Sequence, residues 1–534
     1  MSGPVGGPGA RLRRAGAGPR ESRRYRWWVL WVVLAGLLGT NILFTVFVVA
    51  LPTVACGLGH LQCRPGQNVN ISTVTWVVTG PMLAFGVVAP LAGKAGDLWG
   101  HRRLYLIGLA CEIAVAVASA TAPDVGVLIV ARTLGGLLGA SIGAASMALV
   151  LGVFSKEDRV KALGWWSMVG AGGPVLGVAV GGPLIEHFGW RWLFVVQIPI
   201  LLLALALAAA VLPARAGDRP RAERGESRMD WSGAAAIGTA VGAFLFALNR
   251  GPDWGWASPG VLGSFAVAAG AGVVFRLVEA RAREPVFPLH YLGRRNFVFP
   301  IVAQTTANFA YLGAFFLAPL LLETVFGYGV GASGYLSLPR PIVFSALAPI
   351  AGYVAVRIGE RTSAVVGTSA VVGSMVVFAL AGRGTGVALV EVAFVLSGIG
   401  LGVASPSLSS TVANEFADED LGTASASQQL MNQVGTVAGI QVMETVQAAA
   451  GRGRHGFGLL PSFHLAYLVG GGVALVGVAS AALLRSTDRS GHRAALDLRE
   501  ALDATERSPV VPGEIGGVVG GEIVVRGTDV NALD

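Results

Sequence analysis

Ionisable side chains interrupt the long apolar runs of this chain, among them Glu112, Arg132, Glu323, Arg340, Glu391 and Glu444. A charge inside hydrocarbon is costly, so it marks a proton carrier, a counter-charge for a substrate, or a pair that joins two helices. An embedded carboxylate is the simplest proton carrier of these. Glu323 and Arg340 sit on consecutive runs, which makes a structural ion pair the first expectation. An Arg340 left unpaired and facing a cavity would instead favour an anionic or amphiphilic substrate. Neutral polar residues interrupt the same runs, among them Asn41, Thr45, Gln304, Asn308, Gln429, Asn432 and Gln433. Each either bridges neighbouring helices or lines a cavity.

The rest of the charge is clustered. The stretch "GKAGDLWGHRR", Gly93 to Arg103, places Lys94, Asp97, His101, Arg102 and Arg103 between two apolar runs, in a chain that is only 13% charged. Its glycines, Gly93 and Gly100, allow a tight turn to pack against neighbouring helix ends. Asp97 can face a helix N-terminus or an arginine, a contact that forms in one conformation and breaks in another. Other chemistries find no support. No GxxxxGK[ST] cradle for phosphates occurs, and no serine or cysteine nucleophile has a histidine and aspartate beside it, so the chain is not expected to be an enzyme. His60, His101 and His187 fall in loops or at span ends and read as solvated. Cys56 and Cys63 share one predicted loop, where a disulfide and two free thiols are both open, and no metal or cofactor is expected.

What positions these residues is a set of membrane helices. The chain has 534 residues, 53% of them hydrophobic, and its charged fraction is about half the roughly 25% of soluble domains. Backbone groups in hydrocarbon must bond internally, and no period-two alternation argues for a barrel, so the apolar runs are helices. We expect fourteen spans, at about 27–52, 73–92, 104–122, 125–150, 163–186, 193–212, 232–250, 259–281, 297–322, 332–355, 362–382, 386–412, 425–447 and 464–485. The arginine-rich tail, 1–26, places the N-terminus in the cytoplasm. Basic loops then alternate as the positive-inside rule requires, with two exceptions, the acidic cytoplasmic "NEFADEDLGT" and the basic "GRGRHG" on the other side. The even count returns the C-terminus to the cytoplasm, followed by a polar tail, 486–534, expected to be poorly ordered. The net charge of +8 is therefore a membrane-orientation signal, and no nucleic-acid partner is expected. Only Lys94, Lys156 and Lys161 are lysines among 39 basic residues, which with the abundant Ala and Gly points to a GC-rich bacterial genome.

After the tenth span, "GYVAVRIGER", Gly352 to Arg361, echoes "GKAGDLWGHRR". The echo predicts two homologous six-helix halves, 27–212 and 297–485, with a cytoplasmic loop and two inserted helices in 213–296. Parallel repeats of this kind place a substrate site between the halves near the midplane.

"GKAGDLWGHRR" resembles the cytoplasmic-loop signature of the major facilitator superfamily, matching it at Gly93, Asp97, Gly100, Arg102 and Arg103. The resemblance implies that this loop latches the cytoplasmic side while the cavity opens outward. "RTLGGLLGA" carries Arg132 where the family has a fourth-helix arginine linked to proton transfer, with Gly135 where a glutamine is common. "GAGGPVLGVAVGGPL" is similar to the antiporter motif of exporters at Gly173, Pro174, Gly177, Gly181 and Gly182, and Pro174 is expected to kink that span. "FGWRWLFVVQIPI", with Gln197 where asparagine is usual, and "DWSG" at Asp230 resemble the fourteen-helix drug:proton antiporters. In span one the chain departs from that subgroup. Leu43 stands where an acid is typical, and Val48 replaces an asparagine.

The resulting expectation is an all-α polytopic protein of the bacterial plasma membrane. It would be a monomer that exports amphiphilic drugs, toxins or natural products by proton antiport and alternating access. An exporter of lipid-like or anionic metabolites is the alternative, and a non-transporting membrane sensor a remote one. Glu112, Arg132, Glu323 and Arg340 are the coupling candidates in place of the missing span-one acid.

Overall fold

The computed structural model describes residues 23–42, 76–212, 229–282, 285–382 and 384–485. The predicted disulfide cysteines, Thr45, the departures at Leu43 and Val48, and both tails beyond residues 23 and 485 lie outside the described residues.

All regular structure among the described residues is helical. The long helices are α1 (Arg23–Asn41), α2 (Trp76–Trp99), α3 (His101–Ala120), α4 (Val125–Val153), α5 (Arg159–Phe188), α6 (Trp192–Val211) and α7 (Trp231–Trp254). They continue with α8 (Pro259–Glu279), α9 (Arg295–Thr324), α10 (Pro339–Ile358), α11 (Glu360–Leu380), α12 (Ala388–Glu415), α13 (Leu421–Ala450) and α14 (Leu460–Ala482). Eleven segments among the described residues are long and apolar enough to cross a membrane. The run of α13 is diluted by Ser425, Gln428, Gln429, Asn432 and Gln433, side chains that a helix facing only lipid would not carry.

The structure corrects several expected boundaries. The stretch from Gly93 to Trp99 is not a loop but the last two turns of α2, and the turn narrows to Gly100, whose φ of 94° favours glycine. Burial against α13 keeps this segment helical despite its glycines. The tenth span is broken: a short helix, Val330–Leu336, precedes α10, because Pro339 and Pro341 lack the N–H groups that would join the two. α5 is continuous through the antiporter-like stretch, and of Pro174 and Gly182 only their place in that helix is described.

Which helices pack together repeats at an offset of eight. The pairs α1–α4, α1–α5, α1–α6, α2–α4, α3–α4 and α3–α6 recur as α9–α12, α9–α13, α9–α14, α10–α12, α11–α12 and α11–α14. Between the two sets, α2 packs on α13 and α5 on α10, while α4 meets α13 and α12 meets α5. α7 packs on both α2 and α13, and α8 packs on α7. Two large apolar clusters hold the sets together internally. One is built on Val33, Tyr105, Leu109, Ile142 and Leu201, the other on Leu317, Met375, Phe378, Phe394 and Tyr467.

Candidate functional site: a latch and two buried clusters

At the Gly93–Arg103 end, α2 and α13 meet closely enough that a Cβ on Gly93 would sit 2.5 Å from the Gly422 carbonyl oxygen and clash with the Ala426 methyl. This approach delivers Asp97, whose side chain is fully buried, to the start of α13. Its carboxylate accepts from the Gly422 amide (2.8 Å), the Thr423 amide (2.9 Å) and the Thr423 hydroxyl (2.8 Å). The first N–H groups of a helix have no partner within the helix and usually take one from the preceding residue. Asp420 stands in that position but makes no capping bond with its side chain. Asp97 supplies the cap from another helix. An acid in the last turn of α2 opposes that helix's own dipole, so the favourable end of α13 decides where its charge rests. His101 joins it, with Nε2 3.2 Å from Asp97 Oδ1, and so is not the solvated residue expected.

The two arginines of the stretch do different work. Arg102 bonds the Leu212 and Ala209 carbonyls at 2.6 and 3.2 Å, capping the C-terminus of α6, and Arg103 is exposed.

A second junction lies beside this cap. Arg159, 2% exposed at the start of α5, donates to the Leu151 carbonyl (3.1 Å), the Ala413 carbonyl (3.4 Å), Asn414 Oδ1 (3.4 Å) and Asp418 Oδ1 (2.6 Å). This explains the acidic exception "NEFADEDLGT". Its Asp418 meets Arg159, the Glu415 carbonyl meets Arg294, and its Gly422 and Thr423 amides meet Asp97. The signal was in the sequence: "FSKED" from Phe154 and "FADED" from Phe416 are the same turn in the two packing sets, and both phenylalanines are buried. Asp418 is 75% exposed on its side chain, so its ion pair is worth little, and the bonds to buried carbonyls dominate. Arg159→Met is therefore expected to lose about 3 kcal/mol of stability, read as a fall in thermal unfolding temperature in detergent, and Asp418→Asn well under 1 kcal/mol.

Between α3, α4 and α6 two of the four coupling candidates, Glu112 and Arg132, meet. Glu112, 5% exposed, lies close enough to Arg132 for their charges to attract, and Gln197 on α6 faces the same carboxylate. Gln197 also donates to the Gly39 carbonyl of α1 at 2.9 Å, and the Arg132 guanidinium stands 5.9 Å from the Phe194 ring. The unexpected Gly135 borders this group. A Cβ there would lie 3.6 and 3.7 Å from the Glu112 carboxylate oxygens, so a longer side chain would occupy their space. Asn41 bonds the Leu37 carbonyl of its own helix and packs against Gly173, where a Cβ would come within 3.1 Å. Gly177 and Gly181 are buried in α5.

The expected Glu323–Arg340 pair does not form. Glu323 accepts from the Ser333 hydroxyl (2.7 Å) in the short helix that the prolines detach. Arg340, 1% exposed, lies over the Tyr311 ring at 3.4 Å and near that of Phe315 at 4.8 Å, with its Nε and Nη1 unbonded. Asn308 and Asn432 meet across α9 and α13 (3.0 Å), while Gln433 reaches the Met82 carbonyl of α2 (3.2 Å). Asn432, Gln304, Gln428 and Ser409 line a small cleft between α9, α12 and α13.

Residues 29–440 match the family model of the Major Facilitator Superfamily. The chain belongs to this superfamily. It is a multi-pass membrane protein and a transporter rather than an enzyme. Among its relatives is the tetracenomycin C resistance and export protein of Streptomyces glaucescens, 28% identical over 404 residues, covering 76% of this chain and 74% of that one. The methylenomycin A resistance protein of Streptomyces coelicolor is 28% identical over 439 residues, covering 80% and 90%. The crystal structure of the human organic anion transporter MFSD10 shares the fold, with a TM-score of 0.63 over 85% of this chain and 99% of that one at 18% identity.

Proposed function

We propose that this superfamily member exports amphiphilic small molecules, natural-product antibiotics among them, from a bacterial cytoplasm in exchange for protons. The reading takes the chain as fourteen spans in the plasma membrane with both termini cytoplasmic. In it, α1–α6 and α9–α14 are the two moving halves, and α7–α8 are an insertion. The observation that carries it is the capping of α13 by Asp97, a bond between halves that rocking apart would break. With the latch made, the Gly93–Arg103 side is shut and the cavity opens to the opposite face. Relatives named for resistance and export supply the direction and the substrate class.

A second reading, export of anionic amphiphiles, is favoured by the unpaired nitrogens of Arg340. Liposomes holding the purified protein and a pH dye separate the two. A panel of cationic, neutral and anionic amphiphiles is added one at a time. Proton release on adding cationic or neutral members is the expected result, a response confined to anions selects the second reading, and silence throughout overturns both.

A further inference from the structure

The inserted helices α7 and α8 form a hairpin whose tip lies at the opposite end of α2 from Asp97. Trp76 is the first residue of α2, and Arg250 in the last turn of α7 lies over its ring, 4.6 Å from the centroid. The same guanidinium stands 5.6 Å from the centroid of the Trp254 ring and 3.3 Å from Asp253 Oδ2. Two aromatic rings and a carboxylate around one cation are the parts from which sites for quaternary ammonium groups are built.

Local sequence fixes these parts in place. On α7, Arg250, Asp253 and Trp254 fall at i, i+3 and i+4, so they share one face of the helix. The helix stops at Gly255, whose φ of 83° favours glycine, and Pro259 opens α8. The Trp254 ring packs on that opening turn, where a Cβ on Gly260 would come within 3.1 Å of it. The next indole, Trp256, lies against Gly251 and donates its N–H to the Thr445 hydroxyl of α13 at 3.2 Å. One ring is therefore braced by the hairpin and α13, and the other comes from α2. Arg250 itself is held loosely. Its Nε is buried and makes no hydrogen bond. Its ion pair is solvated, with the Asp253 side chain 67% exposed, and contributes little. That leaves mainly the ring contacts, which any large, weakly hydrated cation can make in its place. A small metal ion would need more oxygen ligands than one carboxylate. Trp254 is 51% exposed, so a ligand has access, and a displaced guanidinium regains water on its tether.

We propose that Trp76, Trp254 and Asp253 form a binding site for organic cations, quaternary ammonium groups in particular, with Arg250 as its tethered occupant. A ligand that displaces Arg250 also removes one contact between the hairpin and α2. The binding stands by itself. Its place in transport rests on the export reading above, in which this end of α2 faces outward and the site receives cationic amphiphiles as they leave.

The test is fluorine NMR of the full-length protein labelled with 5-fluorotryptophan, titrated in detergent with tetraethylammonium chloride at an ionic strength held constant with sodium chloride. Trp76→Phe and Trp254→Phe assign the two resonances. Both are expected to move together and to saturate. Arg250→Ala should lower the half-saturating concentration about fivefold, because the rings are then vacant. Trp254→Leu, at an exposed position, should raise it about as much, read at Trp76, and keeps the test decisive if Arg250→Ala misfolds. Resonances that stay still in folded wild-type and Arg250→Ala protein, or an equal half-saturation in the two, would overturn the site and leave Arg250 a structural clamp. The readout is separate from transport. Proton release with cationic amphiphiles in liposomes, alongside motionless rings, sinks the site and leaves export standing. Moving rings without proton release keep the site and remove its role in export.

Discussion

Asp97→Asn is expected to reduce export by more than tenfold while the protein still folds and inserts. The change is isosteric, so the close approach of Gly93 to Gly422 survives. What changes is the number of acceptors. Each oxygen of Asp97 serves two donors: Gly422 N and His101 on Oδ1, and Thr423 N and Oγ1 on Oδ2. An amide replaces one of those oxygens with a donor that faces donors, and it removes the charge that the start of α13 favours. Bonds to a charged group contribute about 1.5–3 kcal/mol each, so losing part of this set shifts a two-state equilibrium by tenfold or more. Global stability is carried elsewhere, by the buried clusters within each packing set, and should fall far less. The measurement is substrate efflux from proteoliposomes, paired with thermal unfolding in detergent. Wild-type efflux from a folded Asp97→Asn protein would refute the latch. Asp97→Glu should not rescue, because the buried space between two closely packed helix ends has no room for another methylene.

Much of this arrangement was legible in the sequence. Apolar length gave the helices, and the echo of "GKAGDLWGHRR" in "GYVAVRIGER" anticipated a packing pattern that repeats at an offset of eight. The echo holds to the backbone: Gly100 and Gly359 both take positive φ, and a Cβ on Gly352 would crowd the Val160 carbonyl of α5 as one on Gly93 crowds α13. The partners were not legible. Asp97 is 325 residues from Gly422, and nothing local to either indicates that Asp420 fails to cap its own helix. Glu323 and Arg340 misled because adjacency of spans was read as adjacency of side chains. Prolines break the segment between them, and Ser333 reaches the acid first.

The second large effect concerns Glu112. Read singly, Glu112 was a coupling candidate and Gly135 a departure; in the structure each accounts for the other. A glycine on α4 leaves the space that the Glu112 carboxylate fills from α3, beside Arg132. An acid that can pair with an arginine in one state and take a proton in another meets the requirement that the span-one position no longer meets. Glu112→Gln keeps the shape and removes the titration. It is expected to abolish proton release on substrate addition and to flatten the dependence of transport on pH. Substrate binding, read as a thermal shift, should remain. Gly135→Gln provides an independent route to the same site. Its Cβ would already press on Val115 at 3.3 Å, and the rest of the side chain would take the room of the Glu112 oxygens. Displacing the carboxylate should reproduce the Glu112→Gln phenotype, again by tenfold or more in coupled transport, with Glu112 itself intact. A purely structural ion pair predicts otherwise. Both variants would then lose thermal stability by several degrees but keep the wild-type pH profile in whatever protein remains folded. Full pH dependence in folded Glu112→Gln would remove Glu112 as the proton carrier. The search would then pass to Glu391 and Glu444 on α12 and α13, acids on helices whose inner stretches pack against α5, α4 and α2 across the seam that Asp97 closes.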